Sequence, residues 1–322
     1  MTMRLALALI LLTALLLAAS LAVPAQGLFD LWADDPDVAR IILVELRLPR
    51  SLLALFYGLV LGASGAAIQA LFANPLASPD ITGATGSAAL GAVLFAYIFG
   101  LASPFWLAVG GIAGAWVGLA ALLLLAGPKA ETATLLLAGI AISTIAGAAT
   151  ALALALAPSP FAFYDAYEWL MGSLIDRSLP QLAFVAIPAA LVTIWLALQG
   201  PALDRLALGE DAAEAMGYRI VRMRVMIIAA TAIGVGAAVS VCGAVGFIGL
   251  VGPVIARRLV DGHPGRAIVP AAMIGAILLL AADLAIRAAP PDRTIPVGVL
   301  TAMIGTPFFL WLIATMRWRA GP

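Results

Sequence analysis

The chain has 322 residues, of which 64% are hydrophobic and 11% charged, with a formal net charge of zero. A water-soluble domain of this size needs more charge to cover its surface, so that class is excluded. A β-barrel is excluded too: its strands alternate polar and apolar residues in runs of roughly ten, whereas here uncharged runs cover 5–29, 51–79, 81–128, 132–164, 178–203, 225–256 and 294–316.

A span takes about 20 apolar residues, so several runs hold one helix and the longest hold two. The expectation is an all-α polytopic membrane protein with ten spans in a single domain, 1–322. Span 1 covers 4–23. It imitates a signal peptide, but Leu5 to Val23 exceeds the about 7–15 residues of such a core, so a retained span is expected. Residues 24–49 follow outside it. Span 2, 50–72, carries Gly58, Gly62, Ser64 and Gly65, small residues that let helix backbones approach closely. NPLASPD, 74–80, breaks the helix by proline. Asp80 is expected to cap span 3, 82–99. Spans 4 and 5 cover 105–126 and 132–157, joined by a turn at Gly127–Lys129. A wet segment, 158–179, carries Tyr164, Asp165, Tyr167, Glu168, Trp169, Asp176 and Arg177 before span 6 at 180–199. Span 7 is expected at 223–244. GFIGLVGPVIARR (246–258) is short and interrupted by Gly and Pro, and reads as a half-length span 8. Spans 9 and 10 cover 267–287 and 295–315, with APPDRT as the turn between them.

With the N-terminus inside, inner segments hold eleven Lys and Arg and outer segments six. The positive-inside rule therefore sets N-in, C-in. GAAIQALFANP (65–75) and GAVGFIGLVGP (243–253) form a faint repeat. They start from opposite faces, which suggests two inverted-topology halves.

The one long polar island is 200–224, GPALDRLALGEDAAEAMGYRIVRMR, on the inner face. Its centre, Leu208 to Met216, has helix-forming residues between Gly209 and Gly217. An apolar ridge of Leu206, Leu208, Ala212, Ala215 and Met216 is suited to a groove on another protein. The alternative is an amphipathic helix lying on the lipid surface.

No catalytic residue set is found. The only lysine, Lys129 in GPKAET, does not sit in a phosphate-binding loop. The single histidine, His263, has no Cys or His neighbour, so no metal site is expected. The lone cysteine, Cys242, lies in an apolar run and reads as a small buried hydrophobe. Asp283 is the one carboxylate inside a span, with Arg287 at i+4. An ion pair and a proton relay are the two readings of it. An ion-coupled secondary transporter therefore stays open as the alternative class.

RLPRSLLALFYGLVLGASGAAIQALFANPLASPDITGATGSAALGAV (47–93) resembles the start of the iron-siderophore, haem and vitamin-B12 type of ABC importer permease. So do LLLAGIAI (135–142), WLMGSL (169–174), LALGEDAAEAMGY (206–218), GAVGFIGLVGPVIARRL (243–259) and IPVGVLTAMIGTPFFLWL (295–312). The resemblance implies a ten-span subunit in the inner (cytoplasmic) membrane. It would pair with a second permease subunit, expected to be a second copy. Two cytoplasmic ATPase subunits would carry ATP and Mg, with no cofactor in this chain. A periplasmic or lipid-anchored binding protein would deliver the cargo, and nucleic acid is not expected as a partner. The ATPase-coupling residues would be Leu208, Gly209, Glu210, Asp211, Ala212, Ala213, Met216 and Gly217. Asn74, Leu76 and Thr132 would form the cytoplasmic gate, and Arg47, Arg50 and Arg287 would face glutamates of the binding protein. Many relatives have His where this chain has Val254, which puts any role of that His in doubt here. The cargo expected is a ferric siderophore or similar metal chelate; haem, cobalamin and molybdate are the alternatives.

Overall fold

The computed structural model describes residues 3–23, 32, 34–101, 103–127, 130, 132–288 and 295–319. The expected turns at 128–129 and 289–294, and the exit of span 1 at 24–31, lie outside them. Among the described residues the secondary structure is helical throughout.

Seven helices are long and apolar enough to cross a membrane. They are α1 (Met3–Ala22), the continuous Pro36–Leu71 unit, α5 (Pro104–Ala126), α6 (Thr132–Ala155), α8 (Leu179–Leu198), α11 (Ile220–Cys242) and α13 (Ile268–Arg287). Two shorter apolar helices, α4 (Ala84–Tyr97) and α14 (Val297–Arg319), and the short α12 (Ile248–Leu259) lie at the other three expected spans. At twelve residues, α12 is the half-length span its Gly and Pro content predicted. The chain is a multi-pass membrane protein.

The second unit is longer than expected. It opens with α2 (Pro36–Ile41), runs through a π turn (Ile42–Arg47) and continues as α3 (Leu48–Leu71). Asp35 caps α2 through Val38 N (3.2 Å), and Pro36 takes the first turn, where a missing N–H costs nothing. Pro49 also lacks an N–H, so the regular hydrogen-bond ladder breaks there, next to the π turn. The wet segment folds too, into α7 (Pro160–Leu170), with Ser159 accepting from Ala162 N. Asp80, by contrast, caps nothing. It lies in a short 3₁₀ turn (Pro79–Thr82), and α4 starts from Gly83 without a side-chain cap.

The core is the crossing of α3 with α13, flanked by α8, α11 and α12. Small residues make it close: a Cβ on Gly62 would lie 2.0 Å from the Ala271 carbonyl, and one on Gly65 would lie 1.8 Å from that of Gly249. With lipid outside and no hydrophobic drive between helices, such backbone contact supplies the packing. Two matching stretches of the faint repeat therefore touch, joined also by Gln69 Nε2 donating to Leu250 O (3.3 Å). Tyr57, fully buried, ties the same region. Its hydroxyl donates to Gly243 O (2.9 Å) and accepts from Val245 N (3.2 Å), holding the break between α11 and α12.

Candidate functional sites at the two membrane faces

On the inner face the polar island forms two short helices, where one was expected. They are α9 (Gly200–Leu206) and α10 (Glu210–Ala215). The break is Gly209, at φ 110, a conformation open to glycine alone at low cost. Gly217, at φ 90, closes α10; its N–H donates to Glu214 O (2.8 Å) and that of Tyr218 to Ala213 O (3.1 Å). Of the expected ridge, Leu208 is 68% and Met216 45% exposed, with Ala215 exposed and Ala212 half-buried. Leu206 is corrected: it is buried in α9 and belongs to the core. Ala213 is buried as well and faces the protein, while Gly209, Glu210, Asp211 and Gly217 are exposed.

The island is tied down by charge. Asp204 accepts from Gly265 N (2.8 Å), fixing α9 to the turn before α13. Arg224, on α11, is 5% exposed. Its Nη2 donates to Glu210 Oε1 (2.6 Å) and its Nη1 to Ala130 O (2.7 Å). Arg219 and Arg222, its neighbours in the island, are both exposed.

At the expected gate, Asn74 Oδ1 accepts from Leu76 N (2.9 Å) and Asn74 O from Ala77 N (3.1 Å), a self-bonded turn after α3. Asn74 and Leu76 are half-buried. The turn that follows packs on α6. Ser143 Oγ donates to Asp80 O (3.0 Å), and a Cβ on Gly139 would lie 1.9 Å from Ile81 O. Burial there raises the Asp80 carboxyl above the ordinary carboxylate range. Thr132 begins α6, but its side chain lies outside the described residues.

On the outer face, the three expected arginines converge on one end of the core. Asp283, 1% exposed, binds two of them, Arg50 and Arg287. Arg50 donates Nε and Nη2 to Oδ1 (2.8 Å each), and Arg287 donates Nε (2.8 Å) and Nη2 (2.7 Å) to Oδ2. Arg287 also reaches Ser20 O (2.6 Å) and Ser51 Oγ (3.3 Å), and the Ser20 and Ser51 hydroxyls share a bond of 2.7 Å. Arg47 Nη1 donates to Leu21 O (3.0 Å) and Ala22 O (3.1 Å) at the end of α1. The i+4 pair of Asp283 and Arg287 was legible in the sequence; Arg50 as the second partner was not. The arginine side chains are unequally presented. Arg50 is 18% exposed and Arg287 only 5%, so Arg287 points into the protein. Elsewhere, α4, α5 and α7 line an open pocket of about 410 Å³ with Tyr97, Asp165, Glu168, Trp169 and Arg177 among others.

The sequence profile of the FecCD transport family matches residues 6–315. The vitamin B12 import system permease protein BtuC of Vibrio cholerae is 37% identical over 298 residues, 88% of this chain and 85% of that protein. The Fe(3+)-citrate import system permease protein YfmE of Bacillus subtilis is 36% identical over 274 residues, 84% of this chain and 81% of that protein. A solved structure described as an inward-facing conformation of a metal-chelate type ABC transporter superposes with a TM-score of 0.85 at 30% identity, covering 96% of this chain and 98% of that one. PsaBC of Streptococcus pneumoniae, at 17% identity and a TM-score of 0.52, shares the fold alone. This chain belongs to the FecCD transport family and is the membrane permease subunit of an ABC importer.

Proposed function

We propose that this permease carries a ferric siderophore or a similar metal chelate across the cytoplasmic membrane. It works as a homodimer driven by two ATPase subunits, and a binding protein delivers the cargo. The observation that carries the reading is the exposed coupling segment. Leu208 and Met216 stand exposed on either side of α10, whose N-terminal glutamate is fixed to the buried Arg224. Exposed side chains of that size on the inner face call for a protein groove. The ATPases dock there, on Leu208, Gly209, Glu210, Asp211, Ala212, Met216 and Gly217, with Ala213 packing the helix from behind. ATP and Mg bind the ATPases, and this chain needs no cofactor.

Asn74, Leu76 and Thr132 form the gate above the ATPases. On the outer face Arg47 and the exposed edge of Arg50 meet acidic groups of the binding protein; Arg287 acts through Asp283. Steering by such charges raises the on-rate and fixes register. The relatives' named cargoes, vitamin B12 and Fe(3+)-citrate, are both metal chelates, which supports the cargo class; cobalamin is the second reading on the same ground. A proton-coupled transporter working alone is disfavoured because Asp283 is held between two arginines.

The test is uptake into liposomes holding the permease with its co-purifying ATPase and binding protein. The probes are iron-55 citrate, an iron-55 hydroxamate chelate and cobalt-57 cobalamin. ATP-dependent accumulation of a ferric probe is expected, and Gly217→Pro or Glu210→Lys should abolish it by breaking or mischarging α10. Uptake by the permease alone, with no ATPase present, contradicts the proposal.

A further inference from the structure

We propose that Arg224 is the positioning residue that transmits movement of the coupling segment to the cytoplasmic end of α6. This deepens the coupling and gate readings above and rests on them.

Three observations point to it. First, Arg224 is the one inward-facing arginine of the polar island. Arg219 and Arg222 are exposed, whereas Arg224 is 5% exposed and shares its face of α11 with the buried Ile220, Ile227, Ile228 and Thr231. Second, its two terminal nitrogens bind different elements. Nη2 holds Glu210 Oε1, the first residue of α10, and Nη1 holds Ala130 O, two residues before α6. Among the described residues no other hydrogen bond or ion pair joins 208–217 to the stretch that begins at Ala130 and runs through α6. The guanidinium is a rigid planar fork, so a displacement of Glu210 must either turn the fork or break one bond. Either event changes the restraint on the Ala130 carbonyl. Third, Arg224 Nε is buried and has no hydrogen-bond partner among the described residues. Most buried donors in a folded protein are paired, so an unpaired one calls for a reason. A donor left in reserve lets the fork change partners when Glu210 moves. Glu210 itself is 54% exposed, so a docked ATPase can reach it and pull on the linkage.

The experiment uses the full permease–ATPase complex in nanodiscs, with Ala133→Cys near the start of α6 as reporter. Ala133 is exposed, while the native Cys242 is fully buried and stays silent. The rate of labelling by a membrane-impermeant maleimide is read with and without MgATP and vanadate. Nucleotide trapping should change the rate by roughly tenfold, a usual size for coupling between two sites. Arg224→Met should abolish that change while the ATPase still co-purifies. Glu210→Ala should also abolish it, and the double variant should be no worse than either single one, as for two residues acting through one contact. Arg224→Lys keeps the charge but lacks the fork, and should lose the change as well; it also covers the case in which Arg224→Met does not fold. An undiminished nucleotide-dependent change in Arg224→Met or Arg224→Lys overturns the inference. Additive losses in the double variant overturn it too. Failure of the ATPase to co-purify with the unsubstituted chain would instead sink the coupling reading itself.

Discussion

Replacing Asp283 by Leu should destabilise the protein more than replacing the whole ion cluster. Asp283 is 1% exposed and takes four N–O contacts of 2.7–2.8 Å from Arg50 and Arg287. Without it, two guanidinium groups face each other at the outer end of α3 and α13, one of them only 5% exposed. Removing one partner of a buried pair costs about 3–5 kcal/mol, whereas replacing all members by apolar side chains is often neutral or better. At roughly 2 °C per kcal/mol for a chain of this size, Asp283→Leu should unfold some 6–10 °C below the unsubstituted protein. The combination Arg50→Met, Asp283→Leu, Arg287→Met should recover most of that loss. A thiol-reactive dye in a detergent melt is the assay, because the sole cysteine, Cys242, is fully buried until the protein unfolds. Equal melting of Asp283→Leu and the unsubstituted protein would refute the reasoning. So would a combined variant that is worse than the single one.

Gly65→Ala should lower the same melting temperature by the equivalent of about 1–3 kcal/mol, the usual cost of overpacking, since its Cβ would meet Gly249 O at 1.8 Å; no shift would mean that α12 can move off α3 freely. Tyr57→Phe leaves Gly243 O and Val245 N without the hydroxyl they share, and should cost about 1–3 kcal/mol in that melt. Unchanged stability there would show that the break before α12 holds itself. Arg47→Glu with Arg50→Glu should weaken binding-protein docking, measured by surface-immobilised titration, with a loss that shrinks at high salt; unaltered docking at low salt would place these arginines against lipid headgroups.

The spans were legible because each is an uncharged run long enough to cross a bilayer, and α12 because Gly and Pro cut its run short. Where the sequence reading fell short, the elements were short and amphipathic. Both α2 and α7 begin with a side-chain cap followed by proline, Asp35–Pro36 and Ser159–Pro160. That signal is local, and a reading built on apolar runs passes over it. The split of the polar island at Gly209 is half visible in the sequence, since the glycine marks a helix boundary, while α9 before it is too short to show a periodic pattern. Leu206 was misplaced because its exposure depends on how α9 packs under α8 and α3, which periodicity over seven residues does not resolve. Arg224 had a readable signal: it continues the spacing of Ile220, Ile227, Ile228 and Thr231, a charged residue on an apolar stripe. Its partner Ala130, and the second arginine on Asp283, come from segments 94 and 233 residues away. Contacts at such separations follow from the packing of whole helices and leave no trace in local sequence.

The most direct measurement is the composition of the complex that the tagged chain brings out of its native membrane in mild detergent. The account predicts an ATPase subunit at one copy per permease, released by Gly217→Pro in the coupling segment. A permease that comes out alone, oligomeric or not, and still moves a ferric chelate in ATP-free liposomes would contradict it.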